Sequence, residues 1–386
     1  MTTKVYSFYT AGRIIGGPGS IKEIGQHLSA FEASRALIVT DPGVAKTGIP
    51  DRVRQLVEDS GVKTGLLSEV MAEPPINQVD ELYERVRSGD YEVLIGVGGG
   101  SSLDMTKLLA ARMTNDCSVS EFLGTEKVKK PALPTVLIPT TAGTGSEVTP
   151  NAIVTLPDQE LKVGIVSKYF LPDLVILDVE LTAGLPPKLT ASTGMDAFIH
   201  SLESFISTKA NPLSDTFALR SMRLIGRSIR KAFSHGDDLE ARHAMLIGST
   251  LGGMALTAAG TAAVHALAYP LGGKFAVPHG VANSMLLVPV MEYNFDAIKP
   301  RLAEVADAMG IDAGGRTTDS RAKAAMEELR ALVKDLEIPS NMSVFGVTEG
   351  DLDFLAEAAS KVTRLLGNNP KKMSVEDIRE VYGKLL

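Results

Sequence analysis

Histidine is scarce in this chain, with six among 386 residues, yet His265 and His279 bracket one short stretch, "HALAYPLGGKFAVPHG". On one unbroken helix, residues 14 apart face nearly the same way. They would lie roughly 21 Å from each other, too far to share a ligand. Pro270, Gly272, Gly273 and Pro278 can end one helix, turn the chain and start another, which would let both imidazoles reach one point. Upstream, "TGMDAFIHSLESFIS" sets Asp196 and His200 four residues apart. On a helix that spacing aligns both side chains on one face, as a divalent metal requires. Such pairs also occur as surface hydrogen bonds, but Ala197, Phe198, Ile199 and Leu202 make this helix a largely buried one, where a carboxylate needs compensation. One carboxylate and three imidazoles on apolar, glycine-punctuated segments suit Fe(II), Zn(II) or Mn(II), not magnesium or calcium.

Two other stretches could hold an anion. "GVGGGSSLDMTK" (96–107) follows a strand-like run and opens a helical one. Its glycines admit a ligand to the backbone, and free amides at a helix start attract negative charge. Ser101 followed by Asp104 also matches a capping box, so the alternative is that these residues only start a helix. The string is not G-x-G-x-x-G, the dinucleotide fingerprint of the common Rossmann type. "PTTAGTGSEVT" (139–149) again follows a strand-like run, and its hydroxyls and amides would serve a pyrophosphate or ribose, or simply bond the loop to itself. Two donor-rich loops at strand ends of one sheet fit a dinucleotide better than a mononucleotide. Asp41, closing "ALIVTD", would accept the hydroxyls of an adenosine ribose and repel a 2′-phosphate, favouring NAD over NADP. It would equally cap the turn "DPG".

These side chains need a frame, and the sequence supplies two kinds. "ALIVT" (36–40), "YEVLIGVGGG" (91–100), "TVLIPTT" (135–141) and "DLVILD" (173–178) read as buried strands. "GIPDRVRQLVEDSG" and "INQVDELYERVRSGD" between them have helical spacing, and the alternation indicates a parallel α/β sheet. After "LTAGLPPKLTA" the strand-like runs stop. Segments 188–207, 212–233, 238–258, 281–296, 318–336 and 349–361 have helical periods broken by Gly or Pro. The expectation is therefore an α/β domain over 1–185 and an all-helical domain over 186–386, a length that gives each its own core. At 44% hydrophobic and 22% charged, the composition is that of an ordinary globular protein.

Composition also excludes some partners. A net charge of −7 without a basic cluster argues against nucleic acid. The single cysteine, Cys117, forbids an internal disulfide and fits a reducing, cytoplasmic setting, as does the lack of a signal-like apolar run at the start. Between Arg242 and Lys274 no residue is formally charged, long enough to span a bilayer. Its Ala, Gly and Thr content and its histidine instead point to closely packed core helices, with no membrane partner.

Together "GGGSSLD", "TTAGTGSEVT", "GMDAFIHSLESFIS" and "VHALAYPLGGKFAVPHGVAN" resemble the iron-containing (group III) alcohol dehydrogenases over nearly the whole chain. The resemblance implies a Rossmann-like N-terminal domain and a helical, metal-binding C-terminal domain, the plan also shared by dehydroquinate synthase, with metal and nicotinamide in the cleft. It implies Asp196, His200, His265 and His279 as metal ligands. It places a pyrophosphate on Gly99, Gly100 and Ser101, lines the cofactor with Thr140, Thr141, Thr144, Thr149 and Lys162, and makes Asp41 the NAD-selecting acid. The activity implied is NAD(H)-dependent interconversion of a small alcohol and its aldehyde or ketone, with Fe(II), or alternatively Zn(II), holding the substrate oxygen, in a homodimer or larger homo-oligomer.

Two departures stand out. Many relatives have Glu-Pro-Asn-Pro where this chain has "EPPI" (73–76), so Pro75 replaces an asparagine that would touch the cofactor. Many also have a second histidine four residues after the third ligand, where this chain has Tyr269. A histidine there could relay a proton; a phenol serves better as a hydrogen-bond donor to substrate or as a wall. The alternatives are a sugar-cyclising lyase like dehydroquinate synthase, which would need more basic residues than these motifs contain, and a non-catalytic nucleotide binder whose closed metal site is structural.

Overall fold

The computed structural model describes residues 5–159, 161–311 and 317–386. The chain divides into two compact units, Tyr9–Gly184 and Leu185–Leu386, the second joined by the first described residues up to Phe8.

In Tyr9–Gly184 the strands are β1 (Ile14–Gly16), β2 (Arg35–Val39), β3 (Lys63–Leu67), β4 (Val93–Gly98), β5 (Thr135–Pro139), β6 (Asn151–Leu156), β7 (Leu161–Val166) and β8 (Leu174–Leu177). The helices are α1 (Ile24–Leu28), α2 (Pro42–Ala45), α3 (Ile49–Asp59), α4 (Ile76–Val86) and α5 (Gly100–Arg112). Six strands form one sheet in the order β1-β8-β5-β4-β2-β3, every pairing parallel. The central strands are apolar without alternation because both faces are covered, and every residue of β4, β5 and β8 is buried. Successive side chains of β2 serve opposite layers. Leu37 and Val39 pack with Leu108 and Leu109 of α5, whereas Ala36 and Ile38 pack with Ile24 of α1 and Val53 and Val57 of α3. An antiparallel hairpin, β6 with β7, stands apart from the sheet.

The second unit is helical: α6 (Pro187–Ile206), α7 (Pro212–Ser234), α8 (Leu239–Ala259), α9 (Ala263–Phe275), α10 (His279–Met309), α11 (Thr318–Asp335), α12 (Leu352–Ser360), α13 (Thr363–Leu366) and α14 (Val375–Gly383). No strand occurs there among the described residues. The uncharged stretch before Lys274 lies on α8 and α9, which meet at 105° across Gly260–Ala262. Both are largely buried, and no single helix among the described residues is long and apolar enough to cross a membrane.

The break between His265 and His279 exists, and Pro278 starts the second helix, but Pro270, Gly272 and Gly273 do not end the first. Helix α9 runs straight through Pro270, Gly272 and Gly273. The chain turns at Ala276, which takes the left-handed conformation with φ 51°, and α10 begins after Pro278. Similarly, α10 passes through Pro289 and Pro300 to Met309, well beyond the expected end at 296. A proline inside a helix removes one backbone bond. Burial of Leu267, Tyr269 and Leu271 around Pro270, and of Leu287, Val290 and Met291 around Pro289, holds these helices together despite that loss.

Candidate metal centre and nucleotide loops

Helix α6 presents Asp196 and His200 on one buried face, one turn apart. His265 comes from the first turn of α9, and His279 is the first residue of α10. The start of α10 reaches α6 because Gly280 has no side chain: a methyl there would collide with the Ser192 carbonyl. Asp196 is the hub. Its Oδ1 lies 3.5 Å from His265 Nε2 and 3.7 Å from His279 Nε2, and its Oδ2 lies 3.9 Å from His200 Nε2. The His200 and His265 rings stack at 4.7 Å between centroids, and His279 tilts against His265 at 5.4 Å. Ligand atoms of Asp196, His265 and His279 all fall within 4.8 Å of one another. The turn at Ala276 therefore does bring both imidazoles to one point.

Two side chains that the motif spacing did not single out complete this centre. Glu203, fully buried on α6, accepts from His265 Nδ1 at 2.6 Å. It also accepts from the backbone N–H groups of Ala262 (3.0 Å), Val264 (2.6 Å) and His265 (3.4 Å) at the start of α9. A donor at Nδ1 leaves the Nε2 lone pair for another partner, and His265 Nε2 is buried with no hydrogen bond. Asn283, one turn after His279, donates to Asp196 Oδ1 at 2.7 Å and lies 3.1 Å from His279 Nε2. Burial opposes ionisation of Asp196, yet the surrounding imidazoles hold its carboxyl well below the usual range. Burial likewise disfavours a charged His265, but Asp196 and Glu203 outweigh it and raise its pKa to about 9, so without metal Nε2 carries a proton whose place a bound cation would take. The pocket thus favours positive charge at the point where the four side chains meet. An unpartnered imidazole nitrogen, a carboxylate hub and an O/N donor set fit Fe(II) or Zn(II).

Tyr269 lies one turn after His265 and is buried, its ring centroid 6.2 Å from that of His279. The structure brings the phenol to the cluster at His279.

In the sheet unit, the capping box that was the alternative reading of Ser101 and Asp104 does not form. Gly99 is the N-cap of α5 and no side chain caps it. Ser101 Oγ instead accepts from Glu73 N–H at 3.1 Å. Asp104 is buried and turns to the 139–149 loop, accepting from Ser146 Oγ (2.5 Å) and Ile153 N–H (2.9 Å) beside Lys107. Burial raises the Asp104 pKa and lowers that of Lys107. The ammonium donates to Ser146 Oγ, Thr149 O and Asn151 O. Gly100 admits Thr144, whose methyl would meet a Cβ there at 2.6 Å. The uncapped start of α5 thereby stands beside the threonine loop: Thr140 and Thr149 are buried, Thr141 partly exposed. Open helix amides, a glycine cradle and nearby hydroxyls fit a pyrophosphate.

Lys162 on β7 is buried and pairs with Glu73 at 2.5 Å, and Thr155 Oγ1 donates to the Glu73 carbonyl. The "EPPI" segment is thus tied to the hairpin, with Glu73 in a left-handed conformation, φ 51°. Asp41 caps α2, its Oδ1 accepting from Gly43 and Val44 N–H at 2.9 and 3.0 Å.

Comparison with known proteins agrees with this architecture. Residues 11–179 match the family model for iron-containing alcohol dehydrogenase, and residues 190–386 match that for the Fe-containing alcohol dehydrogenase family, C-terminal. The chain is 38% identical over 95% of its length to long-chain-alcohol dehydrogenase 1 of Geobacillus thermodenitrificans, covering 93% of that protein. It is 37% identical to sulfoacetaldehyde reductase of Bilophila wadsworthia, over 96% of each chain. A solved 1,3-propanediol oxidoreductase superposes with a TM-score of 0.96 at 34% identity, over 99% of this chain and all of the other. The chain belongs to the iron-containing alcohol dehydrogenase family and is an oxidoreductase.

Proposed function

We propose that this protein is a metal-dependent NAD(H) oxidoreductase that interconverts a small primary or secondary alcohol and its aldehyde or ketone. The observation that carries this reading is the His265 ring, held at Nδ1 by Glu203 and offering an unbonded Nε2 beside Asp196. Asp196, His200, His265 and His279 would hold Fe(II) or Zn(II). Lewis acidity towards a substrate oxygen is the chemistry such an ion supplies when bound. Relatives named as alcohol dehydrogenases and as a sulfoacetaldehyde reductase support redox chemistry between an alcohol and a carbonyl.

The remaining work falls to the chain itself. Glu203 fixes the tautomer and direction of His265, and Asn283 anchors Asp196. Tyr269 donates a hydrogen bond to the substrate oxygen. Gly99, Gly100 and Ser101 take the pyrophosphate of NAD on backbone amides, and Thr140, Thr141, Thr144, Thr149 and Lys162 line the nucleotide. Asp41 binds the adenosine ribose and disfavours a 2′-phosphate. The single cysteine fits a reducing, cytoplasmic setting.

The test is to strip the protein with chelator, add back Fe(II) or Zn(II), and follow NADH against a panel of small alcohols and aldehydes. Turnover that vanishes on stripping and returns with metal is expected. Turnover indifferent to metal would overturn the reading, and unfolding on stripping would indicate a structural ion.

A further inference from the structure

Ser102 has a role that neither the glycine loop nor the helix start requires. It is buried in the first turn of α5, and its hydroxyl donates to Asp41 Oδ2 at 3.0 Å. Asp41 follows β2, Ser102 follows β4, and the two strands are hydrogen-bonded neighbours in the sheet. The bond therefore ties one strand end to the next. A methyl on Gly98 would lie 2.7 Å from Ser102 Oγ and 3.3 Å from Asp41 Oδ2, so the bare backbone at Gly98 leaves room for the pair to meet.

The carboxylate is consequently held at both oxygens. Oδ1 serves the two amides of its own turn, and Oδ2 receives the Ser102 hydroxyl. A carboxylate accepts about four hydrogen bonds, which leaves acceptor capacity on Oδ2 for a sugar hydroxyl. The cap alone fixes one oxygen and lets the carboxylate plane swing about it; the Ser102 bond removes that freedom.

We infer that Ser102 is a positioning residue for cofactor selectivity, acting through Asp41: it orients the carboxylate so that a ribose diol is accepted and a 2′-phosphate is met by negative charge. This rests on the proposed role of Asp41. Ser102 also lies in the first turn of the helix whose amides would hold the pyrophosphate, so both ends of the adenosine diphosphate would be registered to one element.

The test is a double-mutant cycle on the dissociation constants of NADH and NADPH, read by fluorescence titration of the purified protein without substrate. Ser102→Ala removes only a hydroxyl. Its loss should lower the preference for NADH over NADPH by about 2- to 12-fold, the net worth of one hydrogen bond. In the Asp41→Gly background the same substitution should change the ratio by less than about 2-fold, because its partner is gone. Equal weakening of both cofactors by Ser102→Ala, or an equal shift of the ratio in both backgrounds, would overturn the inference. If Asp41→Gly itself leaves the ratio unchanged, the reading of Asp41 fails, and this inference with it.

Discussion

Glu203 on α6 and His265 on α9 share a 2.6 Å hydrogen bond between two fully buried groups, and the same carboxylate gathers the first amides of α9. One side chain therefore both starts the helix and aims its histidine. Glu203→Gln keeps the shape but replaces half of the acceptor with an amide donor. It should weaken metal binding by about 10- to 100-fold, as loss of a carboxylate behind a ligand histidine typically does. Competition with a chelator of known affinity measures this, and an unchanged constant would remove Glu203 from the metal's support.

Tyr269→Phe separates hydrogen bonding from packing. If the phenol donates to substrate, kcat/KM should fall by about 5- to 30-fold, or roughly 1–2 kcal/mol, with metal content and NADH affinity intact. Unchanged kinetics on the best substrate would leave the ring a packing role beside His279. Lost metal would show that it supports the ligands instead.

Asp41 caps α2 as well as carrying charge, so Asp41→Gly alters two things at once. Asparagine caps nearly as well as aspartate. Asp41→Asn should therefore raise NADPH use, towards the roughly 5- to 150-fold expected for removing 1–3 kcal/mol of repulsion, with little loss of thermal stability. Comparing kcat/KM for both cofactors decides it, and a wild-type enzyme that prefers NADPH refutes the role.

Lys107 and Asp104 form a buried pair that binds the threonine loop to α5. Lys107→Met leaves Asp104 buried beside unpaired carbonyls, a loss of about 3–5 kcal/mol. The sheet unit should unfold at markedly lower urea concentration and bind NADH poorly. An unchanged midpoint would mean that water replaces the ammonium.

The strands that were legible in the sequence are those buried on both faces, β2, β4, β5 and β8, because only they are continuous apolar runs. β1 has three residues, and β3 is a half-exposed edge strand reading "KTGLL", so neither leaves such a run. In the hairpin, burial partly alternates along β6, but its residues "NAIVTL" and the "LKVGIV" of β7 do not alternate apolar with polar, so the sequence carries no clear period of two. The spacing that singled out Asp196, His200, His265 and His279 describes residues that do converge. Glu203 was passed over because a carboxylate three residues after His200 has no spacing rule of its own; its signal is a charge inside an otherwise apolar helix. The alternative capping-box reading of Ser101 and Asp104 fails for a different reason. The capping box is a local pattern, and Glu73 and the 139–149 loop, both distant in sequence, claimed Ser101 and Asp104 first.

The ligand set is tested most directly by the metal content of His265→Ala and Asp196→Ala, measured by elemental analysis alongside NADH binding and turnover. Each variant should contain essentially no Fe or Zn and turn over no alcohol while still binding NADH, since the four ligands lie on α6, α9 and α10 and the proposed nucleotide loops lie on the sheet. Full metal occupancy in either variant would contradict the assignment.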